Sequence, residues 1–269
     1  MKRIALFFVL CLLCACTSGV SSKKKLVVTS LPPYAHIAEE IGDGLVDVVS
    51  FLSPNDNPHT FEPTPKQMDA IKHASLFIGV GEPYEQKLTA ALLQNNPKMQ
   101  VLNLTPPGAR DRHIWMSPKM MQAQVVQISQ AIANVVPDDA LAIKKNTEEL
   151  ESELKSLDLS VQEKLKPFHS QVLLVSHSSF GYFCREYGLV QVPVESEGKN
   201  PLPRQLDVIL QMQKTRTFRC ALVVPQGGQK GTYVLAKRIE IPVYQFNPLA
   251  EDYFRNMETL ANLIAEGKP

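Results

Sequence analysis

Residues 140–166 read ALAIKKNTEELESELKSLDLSVQEKLK, a run without proline or glycine. Leu150, Leu154, Leu157 and Val161 keep one apolar stripe at helical spacing, and charged side chains fill the opposite face. Pro137 stops a helical pattern that starts near Ser117. Asp138 and Asp139 suit a new helix start, and Pro167 closes the run. Residues 138–166 therefore read as one helix of about 28 residues, roughly 40 Å long at ~1.5 Å per residue. A single compact lobe has no use for a connector of that length, whereas two lobes held apart by a rigid strut do.

On either side of the strut, short apolar runs alternate with amphipathic segments. KLVVTS (25–30), VDVVSFL (46–52), SLFIGV (75–80) and MQVLNL (99–104) read as strands before it. QVLLVS (171–176), LVQVPV (189–194), RCALVVP (219–225) and IPVYQF (241–246) read as strands after it. Strand–helix alternation implies parallel sheets covered by helices. The predicted fold class is α/β: two lobes, residues 25–137 and 167–269, each a mostly parallel sheet of about four strands, joined by the long helix.

The N-terminus sets a location. Lys2 and Arg3 precede an unbroken apolar run from Ile4, and Ala15 precedes Cys16. That is the layout of a secretory signal over residues 1–15, too short for a comfortable membrane span. Leu13-Cys14-Ala15-Cys16 resembles the bacterial lipoprotein signature, which makes Cys16 the expected acylation site; an ordinary cleaved signal is the alternative. Residues 16–24 then form a polar tether. The expected location is the periplasm or the outer face of the membrane, lipid-anchored. Cleavage would remove two of 28 basic residues and none of 27 acidic ones, leaving one net negative charge. A near-neutral chain with few aromatics carries no electrostatic footprint for nucleic acid. Cys184 and Cys220 remain in the folded part, as a disulfide or as two buried thiols.

Six histidines divide by position. His36 and His73 fall within or at the end of helical patterns and His169 precedes a strand, so these read as structural. His59 follows VDVVSFL, His113 follows MQVLNL by a loop, and His177 directly follows QVLLVS. All three lie past the carboxyl ends of strands, where open parallel sheets bind ligands. Three imidazoles converging from separate loops suit a transition metal, most readily zinc. Phe61, Pro63 and Pro65 stiffen the loop around His59, because proline fixes φ at low entropic cost.

NPHTFEPTP (57–65), RHIWMSP (112–118), VSHSSFGYF (175–183), the strut and YQFNPLAEDY (244–253) together resemble the zinc/manganese solute-binding proteins of bacterial metal ABC transporters, the cluster A-I, TroA-like family. IGVGEPYE (78–85) and NPLPRQL (200–206) fit the same pattern. The resemblance runs from Lys25 to the C-terminus. It implies a metal ion held between two lobes, captured outside the cytoplasmic membrane by a monomeric receptor and passed to an ABC permease. His59, His113 and His177 then stand as ligands.

Two positions depart from the family pattern. Asn247-Pro248-Leu249 replaces a D-P-L triplet whose aspartate is the usual fourth ligand, and Val224 stands where many relatives place a glutamate. An amide oxygen carries no charge, so Asn247 reads as a weak ligand, a partner of a metal-bound water, or a turn residue. Glu62, Glu195 and Glu197 are acidic residues within sequence reach of the ligand loops, and surface or loop roles are expected for them. The linker TPPGARDR (105–112) leaves no room for a histidine-rich metal-gathering loop. Histidine in the third position favours Zn(2+) over Mn(2+). Other readings are a manganese or iron receptor, a zinc-dependent hydrolytic enzyme, an adhesin lipoprotein stiffened by zinc, and a receptor for an iron chelate or corrinoid. Without an H-E-x-x-H or a glutamate adjacent to a ligand, no enzyme is expected.

Overall fold

The computed structural model describes residues 23–195 and 203–266. The signal segment, Cys16, most of the tether, Glu197 and the start of NPLPRQL lie outside these residues. The first lobe contains β1 (Lys25–Thr29), α1 (Pro32–Gly42), β2 (Val46–Ser50), α2 (Pro65–Ile71), β3 (Leu76–Gly79), α3 (Pro83–Asn95) and β4 (Gln100–Asn103). Then come α4 (Pro118–Val135) and the long α5 (Ala140–Leu165). The second lobe contains β5 (Val172–Val175), α6 (Gly181–Glu186), β6 (Val190–Pro193), α7 (Pro203–Met212), β7 (Phe218–Val223), α8 (Lys230–Ile239), β8 (Val243–Gln245) and α9 (Tyr253–Glu266).

The sheets run β2-β1-β3-β4 and β6-β5-β7-β8, each wholly parallel and in the same order. β3 and β5 are buried along their whole length, as interior strands of parallel sheets must be. Helices α1 to α4 all open on proline in the first turn, where the missing N–H costs nothing and φ is already helical.

The strut buries Ile143, Thr147, Leu150, Leu154, Leu157, Val161 and Leu165, which includes the stripe read from sequence. It packs against α1, α4 and α9. Through these helices one apolar core runs from Val27 and Ile78 of the first sheet to Leu173, Val175 and Leu222 of the second. A smaller cluster around Leu174, Ile209, Ala221 and Leu235 closes the outer face of the second sheet. The lobes thus share a core, and a wide hinge between them would have to break it.

Candidate metal centre

His59 sits in the loop after β2. An Asx turn fixes it: its N–H donates to Asn57 Oδ1 at 3.0 Å. Asn57 in turn donates its side-chain N–H to the Gln226 carbonyl of the other lobe at 2.7 Å. Phe61 packs edge-on against Phe51 and Tyr84, with ring centres 5.7 and 5.4 Å apart. At Thr64, one residue before Pro65, the chain is already committed to α2, since Thr64 and Gln67 cap each other reciprocally. The stiff segment is a mount for one imidazole.

His113 lies between β4 and α4. Asp111 Oδ1 accepts from its backbone N–H at 3.0 Å and lies 2.8 Å from its Nδ1. The ring also tilts over Trp115, centres 5.3 Å apart, and the Trp115 indole N–H donates to the Pro248 carbonyl of the second lobe at 2.8 Å. Tyr253 returns a hydrogen bond to the Trp115 carbonyl at 2.9 Å. His177 follows the buried strand β5 without an intervening residue other than Ser176, whose hydroxyl accepts from the Val224 N–H at 3.0 Å.

These three loops meet in a cleft of about 970 Å³ also lined by Glu82, Asp111, Glu195 and Gln226. The Nε2 atom of His177 lies 3.1 Å from that of His59 and 3.3 Å from that of His113. One ligand atom from each of the three falls within 4.8 Å of the others. Zinc–nitrogen bonds of ~2.0–2.1 Å in a tetrahedron place neighbouring donors about 3.4 Å apart, so the triad stands close to ligand spacing. Nitrogens at this spacing can each turn a lone pair toward one shared cation.

Electrostatics suits that role. Burial, then the nearby His113 and His59, push the His177 imidazole down to about 4, so it presents a free lone pair at neutral pH. At Asp111, burial acts to raise the carboxyl, but its bonds with His113 and the charges of His113 and Arg185 outweigh burial and hold it below its ordinary range. Behind His59 stands Glu82, 1 % exposed, with Oε2 3.3 Å from Nδ1.

Asn247 follows β8, and its amide is engaged by protein. Its Oδ1 accepts from Gln226 Nε2 at 2.6 Å and from the Leu249 N–H at 2.9 Å, and its Nδ2 donates to the Pro54 carbonyl at 3.0 Å. Gln226 Nε2 reaches the same carbonyl at 2.7 Å. Pro54 of the first lobe is thus clasped by two amides of the second. Glu62 is exposed on its loop. Glu195 is buried under the Gly227-Gly228 turn, where burial raises its carboxyl against a bond from Gly228. His36 packs on Phe254 and His169 contacts Ser170, both away from the triad. Cys184 and Cys220 are free buried thiols, and burial raises both.

Asp111 and Glu82 were not singled out from sequence. Asp111 precedes His113 by two positions, a spacing at which an aspartate bonds the following backbone, so a local signal existed. Glu82 is 23 positions from His59, and no local pattern joins them.

Two parallel α/β lobes on a shared core, with three imidazoles converging between them, define a cleft receptor for a metal ion. The chain belongs to the family described as zinc-uptake complex component A, periplasmic (ZnuA), whose model matches residues 27–267. It is a metal-binding receptor of that periplasmic family and not an enzyme. It is 26% identical over 269 residues to a putative metal-binding protein of Chlamydia trachomatis serovar D, covering 97% of each chain. It is 29% identical over 219 residues to the high-affinity zinc uptake system protein ZnuA of Bacillus subtilis, covering 71% of this chain and 69% of that one. A crystal structure of ZnuA superposes with a TM-score of 0.84 at 29% identity, covering 90% of this chain and 98% of the other. Related chains also carry names of manganese-binding and iron-binding proteins. Among the described residues no helix is long and apolar enough to cross a membrane.

Proposed function

We propose that this protein captures free Zn(2+) outside the cytoplasmic membrane and hands it to an ABC permease. His59 and His113 of the first lobe and His177 of the second supply the nitrogens, and water fills the fourth position. The observation that carries this reading is the convergence of three Nε2 atoms at 3.1 and 3.3 Å spacing. An all-imidazole donor set favours zinc over manganese, which prefers oxygen. Names of relatives include both metals, so the donor chemistry carries the choice. Asn247 belongs to the lobe clasp through Pro54, where it could touch the ion only through that water.

The domain division follows: a signal over 1–15, a tether over 16–24 lipidated at Cys16, lobes over 25–137 and 167–269, and the strut over 138–166. The receptor acts as a monomer tethered by its lipid. Because the ligands come from both lobes while the core is shared, loading draws loops together and tilts the lobes slightly. His59→Ala, His113→Ala and His177→Ala should each abolish one-to-one zinc uptake in the presence of a competing chelator while the apo protein stays folded. Retained stoichiometric binding in any two of the three would overturn the triad.

A further inference from the structure

Glu82 is a carboxylic side chain that the three-histidine reading leaves without a task. It follows β3 directly after Gly81, whose φ of 78° only glycine adopts at ease, and it precedes Pro83, which opens α3. That turn directs the side chain back under the His59 loop instead of letting it cap α3, where it makes no bond. The residue is 1 % exposed, and its Oε2 has no hydrogen-bond partner among the described residues. Its polar neighbour is His59 Nδ1 at 3.3 Å, within ion-pair reach but misaligned for a hydrogen bond. An acidic group buried with an oxygen unpaired is costly, so the arrangement needs a compensating state.

The neighbouring ligand shows what that state is. His113 Nδ1 lies 2.8 Å from Asp111, which leaves Nε2 to face the centre. His59 lacks such a closed bond and is also the freer ring, 40 % exposed against 12 % for His113. Resting on the receptor reading above, we infer that Glu82 is the positioning residue for His59: on metal binding it accepts the Nδ1–H, sets the Nε2 lone pair toward the ion and supplies negative charge in place of the aspartate that Asn247 replaces. A ligating imidazole ordinarily gives its other N–H to such an acceptor. Glu82 and Asp111, both of the first lobe, then balance the two charges of the ion, while the second lobe contributes a neutral imidazole.

The test compares wild type and Glu82→Gln by chelator competition for zinc and by urea unfolding of the apo forms. Glu82→Gln keeps shape and removes charge, so zinc affinity should fall about ten- to a hundred-fold, the usual effect of losing such a partner. Apo stability should hold or rise, because an unpaired buried acid is gone. A merely structural glutamate would lower stability and leave affinity alone. Wild-type affinity in Glu82→Gln overturns the inference and spares the receptor reading; wild type that binds no zinc overturns both. If the variant does not fold, ¹⁵N NMR of zinc-loaded wild type decides. A His59 Nδ1–H shifted downfield and protected from solvent exchange, as a buried carboxylate acceptor gives, is expected, and an Nδ1–H that exchanges freely refutes the assignment.

Discussion

Replacing Leu154 by alanine tests whether the two lobes are one mechanical unit. Leu154 lies mid-strut, is 0 % exposed, and belongs to the core that joins both sheets. Removing its buried carbons costs about 2–5 kcal/mol, at the upper end where packed helices cannot collapse into the gap. Helices α1, α4 and α9 pack on the buried face of the strut, so a loss of about 4 kcal/mol is expected, roughly a quarter to four-fifths of a typical stability. Leu159 on the same helix is 52 % exposed, and its alanine variant should cost under about 0.5 kcal/mol. Urea unfolding followed both by tryptophan fluorescence and by far-ultraviolet circular dichroism is the assay. Trp115 reports the lobe junction and the dichroism reports all helices. In Leu154→Ala the two transitions should stay coincident and shift together. Separate transitions, with one lobe unmoved, would refute the shared core and restore an independent hinge.

Three further outcomes are expected. His177 titrates near 4 in the folded apo protein and near 6.5 unfolded, so the unfolded chain binds more protons between those values. Apo stability relative to His177→Gln should therefore fall as pH drops through that window, by up to about 3 kcal/mol, and a difference flat in pH would contradict the burial argument. Asn247→Ala strips one donor from Pro54 and one acceptor from Gln226, which should cost about 1–3 kcal/mol in stability. Its zinc affinity should change only a few-fold, and a loss beyond tenfold would make Asn247 a ligand. Trp115 is the single tryptophan and sits 5.3 Å from the His113 ring, so zinc should change its emission and saturate at one equivalent; a silent titration would place the ion elsewhere.

The architecture was legible because its signals are local. A long run without helix breakers and with one apolar stripe can only be a long helix, and Leu150, Leu154, Leu157 and Val161 are buried as that pattern demands. Each apolar run read as a strand pairs in parallel, and the interior strands β3 and β5 show the continuous hydrophobicity that cover on both faces requires, while the edge strands β2 and β4 alternate with exposed residues. The histidines were separable because His59, His113 and His177 each follow a strand, whereas His36 sits within α1. What escaped were partnerships formed across the fold. Asn247 is 193 positions from Pro54, and Glu82 meets His59 only because β1 places β2 and β3 on its two sides. A triplet spelled like a ligand motif turned out to have its amide occupied, a fact no spacing could carry.

Competitive titration of the chain with zinc and manganese against one calibrated chelator tests the central claim most directly. Tight one-to-one zinc with far weaker manganese is the result the three imidazoles require. Equal affinity, or a preference for manganese, would mean that oxygen ligands complete the centre and that the nitrogen triad does not define it.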